Sequence, residues 1–305
     1  MKTDLVILGG GPAGLTAGMY AARARIPLVL LEKGQTGGQM AATATVDNYP
    51  GFVDPIFGLD LAERMEAQVR KFGAKIVQGE VTLVSGMGQE YQVAMDSGEV
   101  YICKALILAT GASPVRLGIP GELDLGGRGV SYCAVCDGPF FNGLEVAVIG
   151  GGDSAVEEAV YLARFASKVH LIHRRDSLRA CKEIQEKALA EPKVTIHWNT
   201  VPVAVLGEKE VTALRIRSTT DGSEQVLPVG GVFFYVGLQP NSESFRELVQ
   251  TDKGGFIITD QEMRCSTPGI FAAGDVRSKS LRQISTAIGD GATAAYSAQH
   301  YLENQ

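Results

Sequence analysis

The 305-residue sequence has no apolar run long enough to cross a bilayer. The longest, such as "ALILAT" at 105–110 and "GVFFYVGL" at 231–238, are strand-length. No second C-x-x-C accompanies Cys133 and Cys136, and the four histidines (His170, His173, His197, His300) are scattered without metal spacing. These absences exclude the common zinc frameworks and leave no metal ligands to assign. Positive charge is not in excess either. Lys plus Arg number 28 against 34 Asp plus Glu, a net charge of -6, which argues against a nucleic-acid partner. The opening "MKTDLVILGGGPAG" is not a secretory signal, because its apolar core is short, an acid interrupts it and a glycine loop follows. The expected location is cytoplasmic, where thiols stay mostly reduced. Five cysteines, an odd number, do not form a disulfide framework there.

Glycine is abundant. The 37 glycines cluster after apolar runs, the pattern of tight turns and ligand loops. The length suits two domains, each able to bury a core without cross-links. A strand over Leu5–Leu8, a glycine loop, a helix over Ala13–Arg25 and a strand over Leu28–Leu31 make a β-α-β unit. A second such unit begins near residue 145. The pair is a coarse internal repeat and predicts two nucleotide-binding folds. Proline-marked boundaries fall at 112–121 and 236–244. The tail, about 60 residues, is small for a domain of its own, so it is expected to return and complete the first fold around an inserted second one. A helix over Ile284–Leu302 has small or apolar residues at 284, 288, 291, 295, 298 and 302, one buried face. Gly289 and Gly291 cost it about 1 kcal/mol each, which makes sense if something must approach its backbone closely.

Gly9, Gly11 and Gly14 form G-x-G-x-x-G between a strand and a helix. The first glycine allows the turn, the second lets a pyrophosphate approach, and the third lets helix and strand pack. The helix N-terminus offers partial positive charge to the phosphates. Glu32 ends the next strand, where an acid accepts hydrogen bonds from a ribose. The second loop has Gly150, Gly152 and Ala155. Its following strand ends in His173, Arg174 and Arg175, with Arg179 four residues on. A charge run is usually a solvated face. At this position, guanidinium groups suit the extra phosphate of NADP(H). Two pyrophosphate sites fit FAD and NADPH, with the redox chemistry carried by the cofactors.

Cys133 and Cys136 stand in "SYCAVCDGPFF". A structural disulfide across so short a span would constrain the unfolded chain little. Paired cysteines lower each other's thiol pKa and favour thiol–disulfide exchange. Asp137 can move the proton that exchange needs, or can simply form the turn before Gly138-Pro139. Cys103 and Cys265 sit in apolar, strand-like contexts and read as structural thiols.

The motifs "GGGPAG", "GGQM" (Gly37–Met40), "ATGA" (Ala109–Ala112), "CAVCDG", "GGGDSAVEEA", "HRRDSLRA", "FAAGDV" (Phe271–Val276) and "RQISTA" (Arg282–Ala287) together resemble the low-molecular-weight thioredoxin reductases over nearly the whole chain. The resemblance implies an α/β fold of two Rossmann-like domains, with the NADPH domain inserted into the FAD domain. The FAD domain would comprise 1–113 and 240–305, and the NADPH domain with the redox pair 114–239. FAD would rest on Gly9, Gly11, Pro12, Ala13, Gly14, Glu32, Gly38, Gln39, Asn48, Ala109, Thr110, Gly111, Gly274, Asp275, Arg282, Gln283 and Ile284. NADPH would use Gly150, Gly152, Asp153, Ser154, Ala155, His173, Arg174, Arg175 and Arg179. By the same resemblance Cys136 lies nearer the flavin, Cys133 attacks the disulfide of thioredoxin, and Asp137 is the acid–base group. The enzyme would be a homodimer whose domains rotate about 112–120 and 237–242. Val135 stands where Thr is usual, Asp153-Ser154 replaces the frequent Asn-Thr, and Cys181 has no counterpart. Rival readings are a ferredoxin-linked flavin reductase, a reductase of another disulfide protein, and a non-catalytic nucleotide-binding scaffold. The intact second loop and its arginines oppose the first, and "CAVCD" opposes the last.

Overall fold

The computed structural model describes residues 1–43, 45–46, 48–87 and 89–305. It divides into two compact units, Met1–Ser113 with Gln239–Gln305, and Pro114–Leu238. Along the chain the elements that matter are β1 (Leu5–Leu8), α1 (Pro12–Arg23), β2 (Leu28–Glu32), α2 (Gly38–Ala41), α3 (Gly58–Lys71), β3 (Lys75–Gln78) and β4 (Ala105–Leu108). The inserted unit adds β5 (Val130–Ser131), α4 (Ala134–Asp137), β6 (Glu145–Gly150), α5 (Asp153–Leu162), β7 (Lys168–Ile172), α6 (Lys182–Ala190), β8 (Val194–His197) and β9 (Gly231–Tyr235). The first unit closes with β10 (Ile270–Ala272) and α7 (Ile284–Glu303).

Each unit is built on a five-stranded parallel sheet, ordered β10-β4-β1-β2-β3 in the first and β5-β9-β6-β7-β8 in the second. Period-two alternation explains how both faces are buried. In the first unit Leu5 and Ile7 join a core with Leu15, Ala17 and Ala294, whereas Val6 and Leu8 join Val93, Tyr101 and Ile257. In the second unit Val146 and Val148 face Val156 and Ala159, whereas Ala147 and Ile149 face Leu214, Ile216 and Leu227. One face of each sheet therefore packs on helices and the other on an antiparallel sheet. Those antiparallel strands are Val81–Met87, Glu90–Met95 and Val100–Cys103 in one unit, and Thr200–Leu206, Ala213–Ser218 and Glu224–Pro228 in the other.

The tail returns to the first fold. β10 pairs in parallel with β4, Ile270 opposite Leu106, and α7 packs on α1. The first helix is shorter than periodicity suggested: Pro12 supplies a preset φ at its first position, and Arg25 takes φ 59 just beyond its end. In α7 the buried positions are Ala287, Gly291, Ala294, Ala295, Ser297 and Ala298, a face rotated from the expected one at its start and end. Gly291 does let a backbone approach, since a Cβ there would lie 2.2 Å from the carbonyl oxygen of Ala13. Gly289 has open space around it, so close packing does not account for that glycine.

Candidate functional site

The first glycine loop follows β1. Gly9 takes φ +106, and a Cβ there would strike the carbonyl oxygen of Ala109 at 2.4 Å. A Cβ on Gly14 would sit 1.8 Å from the carbonyl oxygen of Gly9. Gly11 has nothing within 4 Å, so its surface is open. No side chain caps α1, which begins at Pro12 and Ala13, so its first-turn N–H groups remain for a ligand. Glu32 closes the loop from the side. Its carboxylate accepts the Gly10 N–H at 2.6 Å and the Gly34 N–H at 2.9 Å. An open cleft of about 590 Å³ lies beyond it, lined by Glu32, Gly34, Thr36, Glu63, Glu66 and Arg70.

Around this loop the same unit gathers the other expected FAD contacts. The Gly37 N–H donates to Gly10 O at 2.7 Å, which seats the start of α2 against the loop. Gly38 lies there with φ +55, and the Gln39 amide donates to Ala112 O at 3.0 Å. Thr110 and Gly111 are bound to one residue: the Thr110 hydroxyl donates to Asn241 O at 2.6 Å and the Asn241 N–H donates to Gly111 O at 3.0 Å. At the start of α7, Gln283 caps the helix, accepts from the Asn48 amide at 3.1 Å and precedes Ile284.

Two buried atoms in this region lack any hydrogen-bond partner: Oδ1 of Asp275 and Nε of Arg282. Burial raises the Asp275 carboxyl above its ordinary value, while Lys279 and Arg282 pull the other way. Such orphaned groups fit a polar ligand that completes them. Sequence reasoning missed the support beneath. Asp290 of α7 accepts the Gly274 N–H at 3.0 Å and pairs with Arg277 and Lys279 at 2.9 and 2.8 Å. Nothing local in the sequence marks Asp290, because its partners lie more than ten residues away.

The second loop follows β6 in the other unit. Gly150 takes φ +158, Gly152 has only Arg179 Nη2 near its Cβ direction, at 4.0 Å, and Ala155 is buried behind them. No side chain caps α5. Asp153 is engaged by the chain itself, accepting the Cys181 N–H at 2.7 Å, and Ser154 is exposed. Arg174, Arg175 and Arg179 are exposed, and among the described residues none pairs with a carboxylate. His173 differs from the arginines. It is buried, and its ring nitrogens each lie 2.9 Å from a backbone carbonyl oxygen, those of Gly150 and Ser177. Its side chain therefore shapes the loop rather than standing open to a cofactor.

In the same unit Cys133 and Cys136 form a disulfide. Cys133 caps α4, its Sγ accepting the Cys136 N–H at 3.2 Å. The Ser131 hydroxyl donates to Asp137 Oδ2 at 2.6 Å and accepts the Cys133 N–H at 3.0 Å. The Ala134 N–H donates to the Tyr235 hydroxyl at 2.5 Å, tying α4 to the end of β9. Burial, then the nearby Glu158 carboxylate, pushes the Tyr235 phenol up. Burial also raises Glu158 of α5 to about 7. The other thiols contrast. Burial lifts Cys103 and Cys265 to about 12, so both are inert, while Cys181 is exposed.

A nucleotide-type loop and a C-x-x-C disulfide thus share one unit, inserted in a second unit with its own nucleotide-type loop. Residues 3–291 match the family model described as pyridine nucleotide-disulphide oxidoreductase. This chain belongs to that family. Within it, the thioredoxin reductase of Listeria innocua is 50% identical over 301 residues, covering 98% of this chain and 94% of its own. The Bacillus subtilis thioredoxin reductase is 48% identical, covering 98% and 95%. The crystal structure of thioredoxin reductase from Streptococcus pyogenes matches with TM-score 0.95 at 46% identity, covering 100% of this chain and 99% of that one. The two Rossmann-type units are the FAD and NADPH folds of this family. The residues present fit both cofactors: the orphaned Asp275 oxygen and the open face at Gly11 suit FAD, and Arg179 near Gly152, with exposed Arg174 and Arg175 just after β7, suits a 2′-phosphate.

Proposed function

We propose that this protein is an NADPH-dependent thioredoxin-disulfide reductase acting as a cytoplasmic homodimer. The Cys133–Cys136 disulfide, held in the unit that carries the second nucleotide loop, is the observation that carries the reading. Among the described residues no helix is long and apolar enough to cross a membrane. Bound FAD and NADPH supply hydride and electron transfer. The chain supplies the binding, orientation and proton handling.

Gly9, Gly11, Pro12, Ala13, Gly14 and Glu32 hold the FAD pyrophosphate and ribose, and Asp275 meets the hydroxylated chain. Gly150, Gly152, Ser154 and Ala155 hold the NADPH pyrophosphate through the α5 N-terminus. Arg174, Arg175 and Arg179 grip its 2′-phosphate, and that grip selects NADPH over NADH. Asp153 and His173 set the loop shape.

In the dithiol state the Cys133 thiolate attacks one sulfur of thioredoxin's disulfide and displaces the other. The Cys136 thiolate then attacks the Cys133 sulfur. This releases thioredoxin as a dithiol and restores the Cys133–Cys136 bond, so two electrons leave the enzyme and two protons pass to the product sulfurs. Asp137 carries a proton in that exchange.

Anaerobic mixing of the holoenzyme with NADPH, and separately with NADH, followed by flavin absorbance, tests the donor. Fast bleaching by NADPH and slower bleaching by NADH is expected. Bleaching by neither would overturn the donor assignment and favour a ferredoxin-type donor. Cys136→Ser should still bleach with NADPH yet fail to reduce thioredoxin. Retained turnover in that variant would overturn the role of the disulfide.

A further inference from the structure

We propose that Ser131 is a positioning residue for the exchange step, fixing the carboxylate of Asp137 throughout the redox cycle. The inference deepens the function proposed above and rests on Asp137 carrying the proton. Ser131 ends β5 and is 4% exposed. Its backbone is pinned by β9, where it pairs in parallel with the fully buried Phe233. The hydroxyl therefore has a fixed origin and little freedom. It accepts the Cys133 N–H at 3.0 Å. Its one hydrogen has two acceptors in reach, Asp137 Oδ2 at 2.6 Å and the Cys133 carbonyl at 3.3 Å. The shorter contact to the charged acceptor wins.

The Ser131–Asp137 hydrogen bond closes a loop that contains both cysteines. The disulfide closes a smaller loop inside it. When the sulfur–sulfur bond opens on reduction, the inner closure is lost and the outer one needs no sulfur. The Cys133 N–H to Ser131 bond likewise involves no sulfur. Ser131 thus preserves the relation of Asp137 to Cys133 in the state that must react with thioredoxin. Holding a proton carrier in place is what makes a nearby carboxylate useful to the step.

Titratable groups near Asp137 include Cys133 and Cys136 in its own segment and Tyr235 of β9, whose phenol feels both Asp137 and Glu158 of α5. Ser131 is a neutral donor to the Asp137 carboxylate, so its removal takes away a hydrogen bond that favours the ionised form.

The test uses pre-reduced holoenzyme mixed with oxidised thioredoxin, single turnover, from pH 5.5 to 9. The variants are Ser131→Ala, Ser131→Thr, Asp137→Asn, and Ser131→Ala combined with Asp137→Asn. Flavin bleaching by NADPH checks that each variant retains intact cofactor sites. For Ser131→Ala a loss of about tenfold at pH 7 is expected, with the acid limb shifted upward. Ser131→Thr should restore both, and the double variant should be no slower than Asp137→Asn alone. A wild-type profile for Ser131→Ala beside a slow Asp137→Asn would overturn the Ser131 proposal only. Equal Ser131→Ala losses with and without Asp137 would reduce Ser131 to general support and overturn it as well. Wild-type exchange in Asp137→Asn would overturn the Asp137 reading, and the Ser131 proposal with it.

Discussion

Glu32 and His173 occupy the same register position in the two units. β2 pairs with β1 up to Leu8 opposite Leu31, and β7 pairs with β6 up to Ile149 opposite Ile172. Each next residue turns back over its glycine loop. A Cβ on Gly10 would meet Glu32, and a Cβ on Gly151 would meet His173. The mechanical task is shared, but the polarity is reversed. Glu32 accepts a loop N–H, whereas His173 engages a loop carbonyl and a second carbonyl at Ser177. On the proposed assignment, cofactor choice rests on this position together with the few residues C-terminal to it. The acid suits a ribose with free hydroxyls, and the imidazole leaves the space beyond it to three arginines.

The strongest way to break the parallel is at the third loop position. Gly14→Ala should abolish FAD retention, because its Cβ would fall 1.8 Å from the Gly9 carbonyl oxygen. The purified protein should lack flavin absorbance. Ala155→Gly at the matching position should keep NADPH binding and lose only about 1 kcal/mol from α5, seen as a small drop in Tm. Next in size, Arg174→Ala with Arg175→Ala should raise the KM for NADPH by roughly 100-fold and leave NADH nearly unchanged. Equal losses would show that the arginines do not read the 2′-phosphate. His173→Ala should raise the NADPH KM by about tenfold through a loosened loop, with the thioredoxin KM unaltered.

The smallest effect concerns the helices. Ala17 of α1 is fully buried, and its counterpart in α5 is Glu158, which burial raises to about 7. Between its ordinary value of 4.5 and about 7 the unfolded chain has released this proton and the native state has not, so stability falls as pH rises through that window. Glu158→Gln should therefore stabilise the protein at pH 8, by about 1 kcal/mol after allowing for partial exposure, and leave it unchanged at pH 4. Thermal melts at the two pH values measure the difference.

The shape of both glycine loops and the place of Glu32 beside the first were legible in the sequence because each rests on local spacing and steric necessity, and the arginine run was legible as an exposed cluster after β7. The return of the tail was legible from its length and its α7 periodicity. Ser131, Asp290, Tyr235 and Asn241 were not. Their partners are set by tertiary packing, and serine, aspartate or asparagine in a loop carries no local mark of what it will touch. His173 was legible as a position but not as a role: a histidine beside arginines reads as part of a phosphate grip, and only burial shows it turned inward against the backbone.

Gly291 lets α7 lie against the carbonyl of Ala13, and that contact has a bearing on the order in which a ribosome delivers the parts. Residues 114–238 form one uninterrupted stretch and can fold as soon as they emerge. The first glycine loop has by then been waiting without its backing, since β10 and α7 are made last among the described elements. At translation speeds of about 5–20 residues per second, several seconds separate the completed inner unit from the arrival of α7. The nascent chain therefore holds every residue of its disulfide unit before it holds those that back the first glycine loop.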